Sequence, residues 1–124
     1  MRLGSGTDPF CWRNTGRFAL AGAWSVRLSS GGYHTDHVHQ CGWISSVFYV
    51  FVPSVMKLEV VYVGWLRFGR PGIATQPALE PDGRVKPEPG KLVLFPSYMW
   101  HGVEPFESDQ HRLTVAFDVV PQTL

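Results

Sequence analysis

Four of the five histidines in this 124-residue chain stand at two places where imidazoles could meet. His34, His37 and His39 precede a long apolar run, and His101 follows a short one closed by Pro96. In an extended strand, residues two apart face the same side. His37 and His39 can therefore offer two imidazoles to one ion, whereas His34 and Asp36 would face away if the strand ran unbroken. A third ligand must come from elsewhere, and His101, at the mouth end of another strand, is the candidate. Imidazole suits Fe, Zn, Cu and Ni alike, so the ligand set points to a metal site without choosing the metal. A His-rich loop is often merely solvated surface, but an H-x-H pair with a distal histidine in a β-rich chain is a more specific combination.

Arg112 is the second residue whose type and place suggest chemistry. It opens the last apolar run, eleven positions after His101, and shares a face with Thr114 and Ala116. A cation on an inward face needs a partner. A guanidinium beside a hydroxyl is a forked receptor for a carboxylate, so Arg112 and Thr114 read as a clamp for the far end of a diacid. The competing reading pairs Arg112 with Asp118, Glu107 or another acid at the rim.

The elements that must position these groups are strands. Phe18 to Leu28 alternates well enough for one and is broken by Ser29-Ser-Gly-Gly32. Ile44 to Val52 is dense in β-branched and aromatic residues and ends at Pro53. Leu58 to Phe68 gives another extended stretch, followed by a Gly- and Pro-rich loop from Gly69 to Gly90, long enough to be expected over a site. Lys91 to Phe95 is a short strand stopped by Pro96, and Arg112 to Val120 a final one stopped by Pro121. No segment holds a helical period. Six to eight strands without internal repeats predict an all-β barrel or jelly roll.

Composition bounds the rest. A chain of this length supports one core, so one domain is expected over 17–124 behind a flexible, Gly-rich lead-in over 1–16. A net charge of +1 without a run of Lys or Arg leaves no electrostatic footprint for nucleic acid or an anionic membrane surface. No segment reaches the length of a membrane span, and the first residues lack the apolar core of a signal peptide, so a cytoplasmic address is expected. Cys11 and Cys41 read as free thiols in that setting.

The order of motifs resembles a known family. His37-Val-His39 is followed by Ser46-Val-Phe-Tyr-Val50 and Gly64-Trp-Leu-Arg-Phe68. Then come Pro87-Glu-Pro-Gly-Lys-Leu-Val-Leu-Phe-Pro-Ser97, His101-Gly-Val-Glu-Pro105 and Arg112-Leu-Thr114. From Gly22 to Pro121 this is similar to the pattern of 2-oxoglutarate- and Fe(II)-dependent oxygenases; its Ser46 segment is one residue shorter than the pattern. The resemblance implies a double-stranded β-helix with Fe(II) at its open end on His37, His39 and His101. It implies 2-oxoglutarate chelating the metal with its distal carboxylate on Arg112, assisted by Thr114, Ser46 and Tyr49. The implied reaction consumes O2, converts 2-oxoglutarate to succinate and CO2, and hydroxylates a small-molecule or peptide substrate. The widespread triad of such enzymes has a carboxylate where His39 stands. His34-Thr-Asp36 with His101 would restore that triad, but the family pattern aligns on His37 and His39.

Two other readings stay open. A cupin begins its metal site with Gly, five residues and H-x-H, which Gly31, His37 and His39 satisfy, and repeats Gly, five residues and Pro at Gly90 and Pro96 before His101. It expects a glutamate where Trp43 and Ile44 stand, and gives Arg112 no role. A non-catalytic binding module is the other reading, and a short lead-in unable to brace the sheet would leave apolar surface that favours a homodimer. Trp65, Phe68, Tyr98 and Trp100 are expected either in the core or beside the metal.

Overall fold

A computed structural model describes residues 7–58 and 62–123. Its eight strands are β1 (Phe18–Leu28), β2 (His34–His37), β3 (Ile44–Phe51), β4 (Leu66–Phe68), β5 (Gly83–Val85), β6 (Leu92–Pro96), β7 (His101–Val103) and β8 (Arg112–Pro121). They form two four-stranded sheets, β1-β8-β3-β6 and β2-β7-β4-β5, with every pair antiparallel. Each sheet draws strands from both halves of the chain, so neither half can close a core alone. This is the all-β, jelly-roll arrangement expected from the sequence.

The long strands form where alternation and β-branched residues agree. On β3, Ser45, Val47 and Tyr49 turn inward while Phe48 and Val50 turn out, and on β8 Arg112, Thr114 and Ala116 turn inward. Between the sheets lie two apolar clusters. Tyr49, Val52, Met56 and Phe106 close one end, and Leu66, Phe95 and Val103 pack further along. Cys11 and Cys41 are both free thiols. No helix among the described residues is long and apolar enough to cross a membrane.

Three local expectations need revision. Leu58 to Phe68 is not one strand: residues 59–61 lie outside the described residues, and among those described only Leu66–Phe68 pairs. Tyr62 (φ 50°) and Gly64 (φ 71°) both take left-handed backbone, which turns the chain before β4. A side chain at Gly64 would collide with Met56, so the turn requires glycine. The Gly69–Gly90 segment is not a single loop, because Gly83–Val85 pairs with β4 as β5. The lead-in carries a one-turn helix, α1 (Pro9–Trp12), capped by Asp8. It is tied to the β2–β3 link, where Trp43 Nε1 donates to Phe10 O at 2.8 Å and the Arg13 guanidinium to the Gly42 carbonyl.

Candidate metal centre

β2 meets β7 with His34 opposite Val103 and His37 opposite His101, so three steps along β2 match two along β7. That bulge overturns the unbroken-strand expectation: it turns His34 to the same side as His37, and both line the cavity between the sheets. His39 lies just beyond the end of β2, where its backbone N–H donates to Ser97 O at 2.9 Å. Ser97 is itself anchored by a hydroxyl contact to Ser45 of 2.8 Å. The three rings converge, with centroids 5.2 Å apart for His37 and His39, 4.2 Å for His37 and His101, and 5.1 Å for His39 and His101. One nitrogen from each lies within 4.8 Å of the others, a spacing that could hold a metal ion.

Each ring has an oxygen acceptor on Nδ1. His37 meets Thr35 O at 2.7 Å, His39 meets Asp118 Oδ2 at 2.6 Å and His101 meets Met99 O at 3.0 Å. These acceptors assign the proton to Nδ1, leaving the Nε2 lone pairs for a ligand bond. His101 is only 6% exposed, and burial, reinforced by His37 and His39, lowers its pKa to about 4 against the pull of the Met99 carbonyl and Asp118. It is therefore neutral, as a ligand must be, at physiological pH.

Deeper in the same cavity, of about 80 Å³, lies Arg112 beside Thr114. Arg112 is 1% exposed and has no carboxylate partner among the described residues. Asp118 is engaged by His39 and Glu107 is exposed, which removes the rim-acid reading of Arg112. Its guanidinium carbon lies 5.2 Å over the Tyr49 ring, and neither Arg112 Nε nor the Tyr49 hydroxyl makes a hydrogen bond of good geometry. Burial raises the Tyr49 pKa against the opposing charge of Arg112 and the close approach of its guanidinium to the hydroxyl, so the hydroxyl is neutral. Buried polar atoms left unpaired are costly. A carboxylate entering beside Thr114 would give the Arg112 guanidinium an acid, and three Nε2 atoms suit a divalent metal, so the residues fit a divalent metal such as iron with an acid beside it.

The remaining candidates fall into place around this. Ser46 borders the cavity, but its hydroxyl donates to Phe117 O at 2.8 Å and accepts from Phe117 N at 2.9 Å. Tyr49 lies beneath Arg112 rather than in the cavity wall. His34 does face the histidines, and burial, then the charges of Arg112 and His37, lower its pKa. Asp36 does not join it. Its carboxylate is gripped by Arg67 at 2.8 and 3.1 Å and by Arg70 at 2.8 Å, on the far side of β2. Burial works to raise the Asp36 pKa, but the two guanidiniums outweigh it and hold the carboxyl below its usual range.

The long segment after β4 leaves the histidine cavity unlined and instead borders a second cleft with Asp36, Arg67 and Arg70. Trp65, Phe68, Tyr98 and Trp100 also stay out of the cavity wall. Its aromatic lining comes from residues the sequence did not single out. Trp24 on β1 stacks 6.4 Å from His39, and Phe95 on β6 lies 4.6 Å from His101. Asp118, weighed from the sequence only as an acid for Arg112, is instead the partner of His39, and it continues the two-residue period of Arg112, Thr114 and Ala116.

No curated protein matches the chain. A family model described as "Putative 2OG-Fe(II) oxygenase" matches residues 22–118, a stretch that holds the three converging histidines, Arg112 and Thr114. With that match covering most of the chain, the protein belongs to this family.

Proposed function

We propose that the domain is an Fe(II)- and 2-oxoglutarate-dependent oxygenase of the hydroxylase type, acting in the cytoplasm on a small-molecule or peptide substrate. The observation that carries this is the pairing of two unsatisfied features in one cavity. Three imidazoles offer free Nε2 atoms at one end, and a buried guanidinium without an acid waits further in. His37, His39 and His101 would hold the iron. Arg112, with Thr114, would hold the distal carboxylate of 2-oxoglutarate, and Tyr49 beneath would support the guanidinium. Ser46 has only a remaining lone pair to contribute.

When bound, iron and 2-oxoglutarate supply the activation of O2 that drives hydroxylation, with succinate and CO2 as co-products. The protein's own share is positioning, charge and dryness. Main-chain oxygens and Asp118 fix the three rings, and neutral His101 keeps its lone pair at working pH. Arg112 sets the register of the diacid by charge-assisted hydrogen bonds. Trp24, Val47 and Phe95 wall the cavity and limit water. A cupin-type metal barrel accounts for the histidines but leaves an unpaired cation in the core without a purpose.

The test is anaerobic addition of Fe(II) and 2-oxoglutarate, read by the visible metal-to-ligand charge-transfer band, for wild type and the His37→Ala and Arg112→Ala variants. The band is expected in wild type alone, with Arg112→Ala still taking up iron. Iron uptake without a band in wild type would hand the lead to the cupin-type reading.

A further inference from the structure

The three histidines are held alike except in one respect. His37 and His101 donate to neutral main-chain carbonyls, whereas His39 donates to a carboxylate, Asp118 Oδ2, at 2.6 Å. The Asp118 side chain is 17% exposed, and among the described residues its only ionic partner is His39. It sits on β8, a strand paired on both edges, opposite Gly22 of β1 and Ser45 of β3. Those neighbours are small, and the strand is held on both edges, with a bulge in β1 between Leu20 and Gly22 beside Asp118. Asp118 is therefore a fixed charge aimed at one ring.

The ring it addresses is the one at the position where a two-histidine, one-carboxylate centre has its acid. Three neutral imidazoles leave the full charge of a divalent ion uncompensated, while a ligating Asp or Glu would cancel part of it directly. We propose, building on the oxygenase reading, that Asp118 is a positioning residue that supplies this missing negative charge to the metal through His39. A carboxylate accepting from Nδ1–H fixes the ring and its tautomer and makes Nε2 a more basic donor. The charge then lies one imidazole further from the metal than in the carboxylate-ligated triad. The donor set is all nitrogen, but the centre as a whole keeps one acid.

Asp118→Asn separates charge from shape, because an amide oxygen can still accept from Nδ1–H. The full chain is titrated anaerobically with Fe(II) alone, and the Fe(III)/Fe(II) potential of the loaded protein is then measured. Asp118→Asn is expected to weaken Fe(II) binding about 10- to 100-fold, the usual effect of losing such an outer partner. It should also raise the potential, since less negative charge favours the reduced ion. Asp118→Glu keeps the charge and should hold the potential near that of wild type; a shifted potential in that variant overturns the idea even where the asparagine protein fails to fold. An asparagine variant with wild-type affinity and potential, or one that loses affinity at constant potential, also overturns it. A wild-type chain that takes up no Fe(II) would instead sink the oxygenase reading.

Discussion

At the scale of single residues, Arg112 and His101 carry costs that a bound metal and acid would offset. A buried guanidinium with an unpaired Nε is unfavourable to folding; even a whole buried ion pair replaced by apolar side chains is commonly neutral or stabilising by about 1–4 kcal/mol, and Arg112 has no acid partner among the described residues to leave behind. Arg112→Met is therefore expected to raise the urea midpoint of the apo protein while weakening 2-oxoglutarate binding to the iron-loaded protein by about 100-fold, from the loss of charge-assisted hydrogen bonds. A variant that loses stability along with binding would mark Arg112 as structural. His101 makes the second case. Its pKa is about 4 in the fold, so as pH falls below about 6.5 the unfolded chain takes up the proton first. Stability of the apo protein should thus fall between about pH 6.5 and 4, by roughly 3 kcal/mol at ~1.4 kcal/mol per pKa unit, and the loss should end below that window. His34, lowered by burial and by Arg112 and His37, acts in the same direction. Urea midpoints at several pH values, with chelator present, check this; a slope unchanged in His101→Gln would show that the titration lies elsewhere.

At the scale of elements, the centre depends on how closely β2 lies on β7. Gly102 makes that approach possible: a Cβ there would stand 2.5 Å from Asp36 Oδ1 and 2.9 Å from His34 O. Gly102→Ala must push β2, which carries His37, away from the strand that carries His101. A loss of about 1–3 kcal/mol is expected from such overpacking, together with weaker Fe(II) binding, measured by urea unfolding and anaerobic titration. Undiminished iron affinity would mean that the two strands are not coupled in holding the metal. The same strands explain what could be read from the sequence and what could not. β1, β3 and β8 were legible because each is long and alternates, and the convergence of His37, His39 and His101 followed from two-residue spacing and a strand end. β5 and β7 have three residues each, too few for a period, and are strands because of their neighbours, β4 for β5 and both β2 and β4 for β7. The bulge of β2 was invisible because it arises from pairing with β7, so the facing of His34 was misjudged. Leu58 to Phe68 misled because apolar content says nothing of the left-handed backbone at Tyr62 and Gly64.

At the scale of the whole molecule, the inner and outer faces of the β1-β8-β3-β6 sheet do different work. Its inner face builds the cavity, whereas its outer face bears a cross-strand row of Leu92, Phe48 and Val115, with Leu94 beside it. Phe48 is 37% exposed and Leu94 56% exposed, so among the described residues this apolar surface is only partly covered. Contiguous apolar surface of this kind favours association, and a second copy of the chain is the partner expected there. Concentration-dependent dimerisation of the wild-type chain is accordingly expected in light scattering. Leu94→Lys should shift the equilibrium toward monomer with a thermal midpoint close to wild type, because an exposed leucine contributes little to the core. Fe(II) uptake should be unaffected, since the histidines lie on the other side of the sheet in the cavity. A monodisperse wild-type monomer at high concentration would remove the dimer, and loss of iron binding in Leu94→Lys would show that the outer face and the metal centre are not independent.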